Sequence, residues 1–265
     1  MAIHPTAIIE DGAEIGDADI GPFAVIEGTV HIHDNVTIHA HAVVRGHTEI
    51  GSGTELHPYS VIGGPPQDRK HDGSPLGLQI GEDNVFREFS SAHAGSSSGR
   101  GLTVIGDRNY FMASSHVAHD CLVGNDCMFA NSAAIAGHVE VGDGAVLGGL
   151  SAVHQNCRIG RLAMVGGGAM CAQDVPPFSL AQGDRARLFG LNVIGLRRAG
   201  FDPDVITELK TAWRTLFGSG LPLRAAMVRV IEEHGAAEVR EIVDFLNYSQ
   251  RGVIRAAGGG ARDSR

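Results

Sequence analysis

Aromatic residues are scarce in this chain: Phe, Tyr and Trp together make 5% of 265 residues, and there is one Trp. That excludes a core built round large rings. With Gly at 37 positions, the interior must come from small and β-branched residues in a regular arrangement. Cysteine is rare too. Cys121, Cys127, Cys157 and Cys171 form no Cys-x-x-Cys pair, which fits a reducing compartment, and they read as small core residues. No apolar run approaches the ~18 residues that would span a bilayer. The N-terminus, Met1-Ala2-Ile3-His4-Pro5, has no basic stretch leading into an apolar one. These absences point to a cytoplasmic protein that does not insert into membrane.

The net charge of −9 conceals an uneven distribution. Residues 1–184 carry 8 Lys and Arg against 21 Asp and Glu, whereas residues 185–265 carry 13 against 9. An acidic body with a basic appendage suits an acidic macromolecular partner, although Arg scattered over solvated helix faces gives the same balance.

What is present in abundance is a period of six. Ile20, Ile26, Ile32, Ile38, Val44, Ile50, Leu56 and Ile62 are spaced by six without a miss. A longer run follows: Ile105, Phe111, Val117, Val123, Phe129, Ile135, Val141, Leu147, Val153, Ile159, Val165 and Cys171. Ile3, Ile9 and Ile15 form an earlier run, one residue out of phase. Gly often follows the apolar residue, as at Gly51, Gly106, Gly124, Gly142, Gly160 and Gly166, where a tight turn is expected. One inward aliphatic residue in six is the signature of a parallel β-helix with three short sheets, a triangular prism. Each coil takes about 18 residues, so residues i and i+18 stack ~4.8 Å apart.

Two stretches interrupt the period, residues 63–79 and 93–104. Both are polar and rich in Gly, Pro or Ser, and are expected to leave the sheets as functional loops. After Val175-Pro176-Pro177 the spacing becomes helical. Asp202-Pro203 reads as an N-cap with Pro at the first helical position, followed by the face Val205, Ile206, Leu209, Trp213 and Leu216. Leu223, Met227, Val230 and Ile231 make a second face, and Val239, Ile242, Val243 and Leu246 a third. The expected architecture is mainly β: a left-handed parallel β-helix of hexapeptide repeats over residues 1–184, then a C-terminal α-helical domain over 185–255 that caps the last coils. Residues 256–265 are expected to be a disordered tail.

The 18-residue rule places side chains in space. His119 stacks with Gly137, beside His138, and then with Gln155, beside His154. Asp120 directly follows His119. A carboxylate beside an imidazole fixes its tautomer and raises its basicity, as a general base for an alcohol requires. Gly137, one coil above, allows its backbone N–H to approach a reacting carbonyl as an oxyanion donor. A second concentration of histidine, His31, His33, His39, His41 and His47, looks like a metal tract, but its spacing spreads it over different coils and corners, and it reads as solvated corner residues.

The segments His116-Val117-Ala118-His119-Asp120-Cys121, Ala136-Gly137-His138-Val139, Ala152-Val153-His154-Gln155, Ala172-Gln173-Asp174-Val175-Pro176-Pro177 and Ala181-Gln182-Gly183 resemble the UDP-N-acetylglucosamine O-acyltransferase family of lipid A biosynthesis, over nearly the whole chain. The resemblance implies a homotrimer with sites between neighbouring prisms, no metal and no bound cofactor. The acyl donor's phosphopantetheine arrives on an acyl carrier protein, and the reaction is 3-hydroxyacyl transfer to the sugar nucleotide. By resemblance His119 is the base, Asp120 orients it and Gly137 N–H holds the oxyanion. His116, His138, His154 and Gln155 bind the sugar nucleotide and phosphopantetheine arm. Gln67, Asp68 and Lys70, with His93, reach the sugar and acyl chain of the neighbouring site, while Asn192 and Arg198 hold the uridine diphosphate. Gly167 matches the position that sets acyl-chain length, and glycine there leaves the groove open for a chain of myristoyl class. Expected partners are the carrier protein, the nucleotide sugar and further copies of the chain, with no nucleic acid. Three positions depart from the family pattern: Ile194 replaces an acidic residue, Ala199 an arginine and Ala94 the arginine after His93.

Three rival readings remain at this stage. One is the same fold acylating the 3-amino analogue of the sugar or, later in the pathway, a related N-acyltransferase with an additional N-terminal domain. Another is a γ-type carbonic anhydrase, also a trimeric β-helix, whose zinc needs three histidines; here His116 and His119 lie three apart. The last is a non-catalytic solenoid scaffold.

Overall fold

An aliphatic residue at every sixth position can be buried by every segment only if the chain winds round a common axis. The computed structural model, which describes residues 2–257, shows that winding. Most strands are two residues long, one pointing out and one in, and they stack into three sheets of eleven, nine and eight strands. All neighbours pair in parallel except one terminal hairpin, Ser179–Gln182 with Arg187–Leu191. The inward residues Ile26, Ile32, Ile38, Val44, Ile50, Leu56 and Ile62 are fully buried and stack coil on coil. The four cysteines lie buried among them, and burial pushes the Cys121 and Cys127 thiols up to about 12.

Register explains each irregularity of the period. Ile3 pairs with Ile20 and Ile15 with Ile32, so the first coil is one residue short and its run falls out of phase. Ile50 pairs with Ile80, and Ile80 in turn with Ile105. Ile80, Phe86 and Ala92 therefore form a complete coil between the two interruptions, with Phe86 stacked on Phe111 at 4.4 Å. The ejected loops are shorter than expected. Gly63 and Gly64 end one strand, Gly77–Ile80 form the next, and Leu102–Ile105 pair along their length with Gly77–Ile80. Polar and glycine content did not keep these ends out of the sheet because the backbone supplies its hydrogen bonds whatever the side chain.

The glycines after apolar positions are explained by crowding. A Cβ on Gly142 would lie 2.7 Å from the Arg161 backbone nitrogen one coil above. The left-handed corner residues are mostly not glycine: Asp120, His138 and Asn156, at φ near 60°, form one such corner ladder.

The sheet continues past residue 184 to Leu191, where helices begin. They are α1 (Val193–Arg198), α2 (Pro203–Gly218), α3 (Leu223–Glu233) and α4 (Ala237–Asn247). Asp202 caps α2, with Pro203 at its first position, and the three expected faces bury Ile206, Leu209, Leu216, Val230, Val239 and Ile242. Helix α4 docks on the prism through Arg161, which pairs with Glu241 at 2.7 Å and covers the Phe178 ring. Beyond α4 the chain returns to the prism. Ile254 donates to the Asp174 carbonyl, and Ala256 of the expected tail bridges to Leu188. Residues 258–265, the rest of that tail, lie outside the described residues. No described helix is long and apolar enough to cross a membrane.

Candidate active site

The corner that carries Asp120, His138 and Asn156 builds the site. The His138 backbone N–H donates to the His119 carbonyl at 3.0 Å, and Asn156 N–H to the Gly137 carbonyl at 3.1 Å, so the coils are locked in vertical register there. The His119 imidazole lies over Gly137. A Cβ at residue 137 would stand 2.5 Å from His119 Cε1 and 2.7 Å from Nε2, and only glycine leaves the ring its place. Gly137 N–H finds no acceptor among the described residues.

Asp120 is fully buried and lies 2.8 Å, Oδ2 to Nδ1, from His119. Burial alone would raise its carboxyl, but hydrogen bonds from His119, Ser96 and Gly101 outweigh it and hold the group below its ordinary value. Ser96 Oγ donates at 2.7 Å, Ser96 N–H at 3.1 Å and Gly101 N–H at 2.9 Å. An ionised Asp120 makes Nδ1 the protonated nitrogen of His119, which leaves the Nε2 lone pair free to accept a proton. Side-chain exposure at His119 is 13%, enough to be reached and too little to be fully hydrated.

Other residues gather round this pair. His138 meets the His119 ring edge to face at 5.1 Å, and His93 meets His116 the same way at 4.8 Å. Burial pushes His93 down to about 4, helped by His116 and His119, and lowers His116, whose Nδ1 is 2.8 Å from Ser91 Oγ. The first loop folds onto the second within the chain. Asp68 accepts from Ser98 Oγ and from Lys70 N–H, which hold its carboxyl below its ordinary value, with His119 near enough to add to the effect. Asp68 is half-buried, whereas Gln67 and Lys70 are exposed. A polar pocket of about 540 Å³ adjoins His138, lined also by Ser98, Arg100, Asn156 and Tyr248.

His154 and Gln155 lie one coil above and are exposed; His154 Nδ1 is 3.1 Å from Arg251 Nη2. Gly167 lies exposed on a different corner, above Gly149, where an added Cβ meets only the Gly149 carbonyl at 3.4 Å. Asn192 is the N-cap of α1 and Arg198 is its last residue. The Asn192 side chain accepts from Gly195 N–H and donates to the Leu162 carbonyl, so it caps the helix, while Arg198 is exposed in its last turn. Ile194 is 65% exposed on the same helix, and Ala94 is buried.

Sequence reasoning missed the supports of Asp120: Ser96, Gly101, Thr103 and Gly99. Thr103 Oγ1 accepts from Asp120 N–H at 2.8 Å, and a Cβ on Gly99 would collide with the Asp120 carboxylate. Counting 18 downward from His119 leads to Gly101, so the signal was available. The histidine tract does not gather into one cluster, but parts of it make contacts that its spacing along the chain did not suggest. His31 and His33 sit side by side on one coil with rings 4.4 Å apart, and His39 stacks on His57 at 4.9 Å.

A base whose tautomer is fixed by a buried carboxylate, next to a glycine N–H, suits acyl transfer to an alcohol. Comparison with known proteins leads to the same chemistry. Residues 29–64 match the model of bacterial transferase hexapeptide repeats, so the prism is the left-handed β-helix of that class, and residues 174–254 match domain 2 of UDP-N-acetylglucosamine O-acyltransferase. An acyl-(acyl-carrier-protein)-UDP-N-acetylglucosamine O-acyltransferase of Burkholderia lata is 45% identical, covering 96% of this chain and 99% of its own. One from Campylobacter concisus is 42% identical, covering 97% and 98%. Among solved structures, the UDP-N-acetylglucosamine acyltransferase of Bacteroides fragilis superposes with a TM-score of 0.94 at 38% identity, covering 96% of this chain and all of that one. The Acinetobacter baumannii structure gives 0.93 at 39%, covering 96% and 99%. These likenesses run through both prism and helices and set aside the carbonic anhydrase and scaffold readings: the chain belongs to the UDP-N-acetylglucosamine O-acyltransferase family.

Proposed function

We propose that the chain transfers a 3-hydroxyacyl group from the phosphopantetheine thioester of an acyl carrier protein to the 3-hydroxyl of UDP-N-acetylglucosamine, the first step of lipid A biosynthesis. The observation that carries this reading is the His119 imidazole, tied at Nδ1 to buried Asp120 and lying over Gly137. His119 Nε2 takes the proton of the sugar hydroxyl as its oxygen attacks the thioester carbonyl. The negative charge that develops on the carbonyl oxygen is met by Gly137 N–H. Collapse of the tetrahedral intermediate breaks the C–S bond, and the imidazolium returns its proton to the departing thiolate. Asp120 stabilises that imidazolium without taking the proton.

The buried His93 and half-buried His116, both favouring the neutral form, fit the walls of an acyl or sugar pocket, with Asp68 at its mouth beside the exposed Gln67 and Lys70. His138, His154 and Gln155 continue the same corner upward, toward the nucleotide and pantetheine. Asn192 acts through α1, holding the helix that presents Arg198 to the diphosphate. Gly167 leaves the acyl groove open. A trimer agrees with Phe23, Tyr59, Phe89 and Leu150, which share one prism corner and are each about half or more exposed, a surface that packed neighbours would cover. We place the enzyme in the cytoplasm, where acyl carrier proteins work.

The test incubates the protein with 3-hydroxyacyl carrier proteins and UDP-N-acetylglucosamine, with the 3-amino analogue in parallel. Ester formation that falls by at least ~10²-fold in His119→Ala is expected. Faster acylation of the amine, or full rate in His119→Ala, overturns the reading.

A further inference from the structure

In the part of the prism that precedes the acyl-transfer corner, two successive coils bring imidazoles to one carboxylate. His39 follows the strand Thr37–Ile38 and His57 follows Glu55–Leu56, and these strands pair with Ile38 against Leu56. The two rings therefore stack, 4.9 Å between centroids. Glu55 points outward between them. Its Oε1 is 2.7 Å from His39 Nε2 and 3.3 Å from His57 Nε2, and one donor atom from each residue lies within 4.8 Å of the others.

A single His–Glu ion pair accounts for one of these rings and leaves the second nitrogen aimed at the same oxygen. A tetrahedral cation with bonds of about 2.0–2.1 Å holds its ligand atoms roughly 3.3 Å apart. The Glu55–His57 separation has that value, and Glu55 and His39, at 2.7 Å, need to open by about 0.6 Å. Two imidazoles and one carboxylate are the donor set of zinc-class ions, and they discriminate against calcium and magnesium, which want oxygen. The surroundings are those of a ligand as well. The other nitrogen of His57, Nδ1, faces Glu88 at 3.7 Å, and Glu88 is itself fixed by Arg87 at 2.9 Å. A carboxylate behind a histidine orients it and strengthens it as a donor. His57 is only 19% exposed, and its place on the prism is fixed by the coil stacking.

We propose that His39, Glu55 and His57 form a zinc-class divalent cation site, with a fourth position open to water, that clamps two adjacent coils and takes no part in acyl transfer. Two other groups have the residue types and fit less well. His31, His33 and Glu49 make one nitrogen–oxygen contact, with His31 exposed. At His119 the carboxylate of Asp120 is already filled by Ser96 and Gly101.

The experiment titrates the full-length protein, freed of metal by chelation, with ZnCl₂ in a calorimeter and repeats the titration with CoCl₂, reading the visible bands of a four-coordinate cobalt ion. Wild type is expected to bind one equivalent more than the double variant His39→Gln/His57→Gln. Glu88→Gln is expected to keep the site with ~10-fold weaker affinity. His33→Gln and His119→Ala should retain the cobalt bands, and zinc should raise the melting temperature of wild type but not of Glu55→Gln. Acyl transfer by the double variant should match wild type. Equal zinc uptake by wild type and the double variant, or loss of the bands in His33→Gln or His119→Ala instead, overturns the proposal.

Discussion

Gly137→Ala puts one methyl group where the structure has least room for it. The new Cβ would stand 2.5 Å from His119 Cε1 and 2.7 Å from Nε2, whereas ordinary contact begins near 3.4 Å. The ring must retreat by about 1 Å, yet its other edge is tied to Asp120 at 2.8 Å, and Asp120 is held in turn by Ser96 and Gly101. It cannot swing away as a rigid unit, so Nε2 is displaced from the line of the substrate hydroxyl. A misplacement of about 1 Å costs on the order of 10²-fold in rate, or ~2.7 kcal/mol of transition-state stabilisation. The backbone itself is undisturbed, because Gly137 is not among the glycines at positive φ, and the melting temperature should shift by no more than a few degrees. The assay follows ester formation from a 3-hydroxyacyl carrier protein. The loss is expected in kcat, with KM for the nucleotide sugar little changed. Gly218→Ala is the control: nothing lies within 4 Å of its added Cβ and the residue ends α2. A Gly137→Ala enzyme within twofold of wild type would refute both the placement of the ring and its role.

Asp120→Asn keeps the shape but offers an amide where His119 needs an acceptor, favouring the wrong tautomer; kcat should fall by about 10³–10⁴-fold while the folded state persists. Because Asp120 is held below its ordinary value in the fold, its contribution to stability is present above the unfolded carboxylate range and is lost as pH falls through the folded one. Acid unfolding should therefore begin at higher pH wherever Ser96→Ala has weakened those bonds. His93 acts in the same direction, losing stability as pH falls, although here it is the neutral form that the fold favours. Its folded value near 4 lies below the ordinary 6.5, so the unfolded chain takes the proton first and roughly 3 kcal/mol of stability is lost between pH 6.5 and 4. Its ring nitrogens should read as neutral by NMR at pH 5.5, and a midpoint near 6.5 would contradict the burial. At Gly167, substitution by Met is sterically permitted and should shorten the preferred acyl chain, each excluded methylene costing ~0.8 kcal/mol, or about fourfold in kcat/KM across a chain-length series.

The prism was legible because burial in a solenoid repeats the same instruction. Each coil places one aliphatic residue per side inward, and runs such as Ile105 to Cys171 state it twelve times. The vertical stack of His119 on Gly137 followed from the same arithmetic. What escaped were features the period does not encode. Loop ends such as Gly63 and Leu102 entered the sheet through backbone pairing alone. Ile80, Phe86 and Ala92 were too short a run between interruptions to be noticed. Asn192 has a residue type that suits nucleotide binding, yet its amide is committed to Leu162 and Gly195, which sequence spacing cannot reveal. His39 and His57 were within reach of the rule and were missed because histidine was counted along the chain rather than along the coil axis.

The second ejected loop has its clearest effect on a residue that does not itself react. Burying an ionised carboxylate costs several kcal/mol unless it is paired and hydrogen-bonded. Asp120 would then take up a proton and lose its hold on Nδ1–H of His119. From the prism the carboxylate has the His119 ring at 2.8 Å and, farther off at 4.0 Å, His138 Nδ1. Ser96 and Gly101, projecting from the loop inserted one coil below, supply three further donors, and Gly99 lets the loop approach where any side chain would collide. The loop therefore keeps Asp120 charged, the charge keeps the proton on Nδ1, and Nε2 stays free for the substrate hydroxyl before any substrate arrives. A rigid solenoid can position a base by stacking, but it needs this insertion to set the base's protonation.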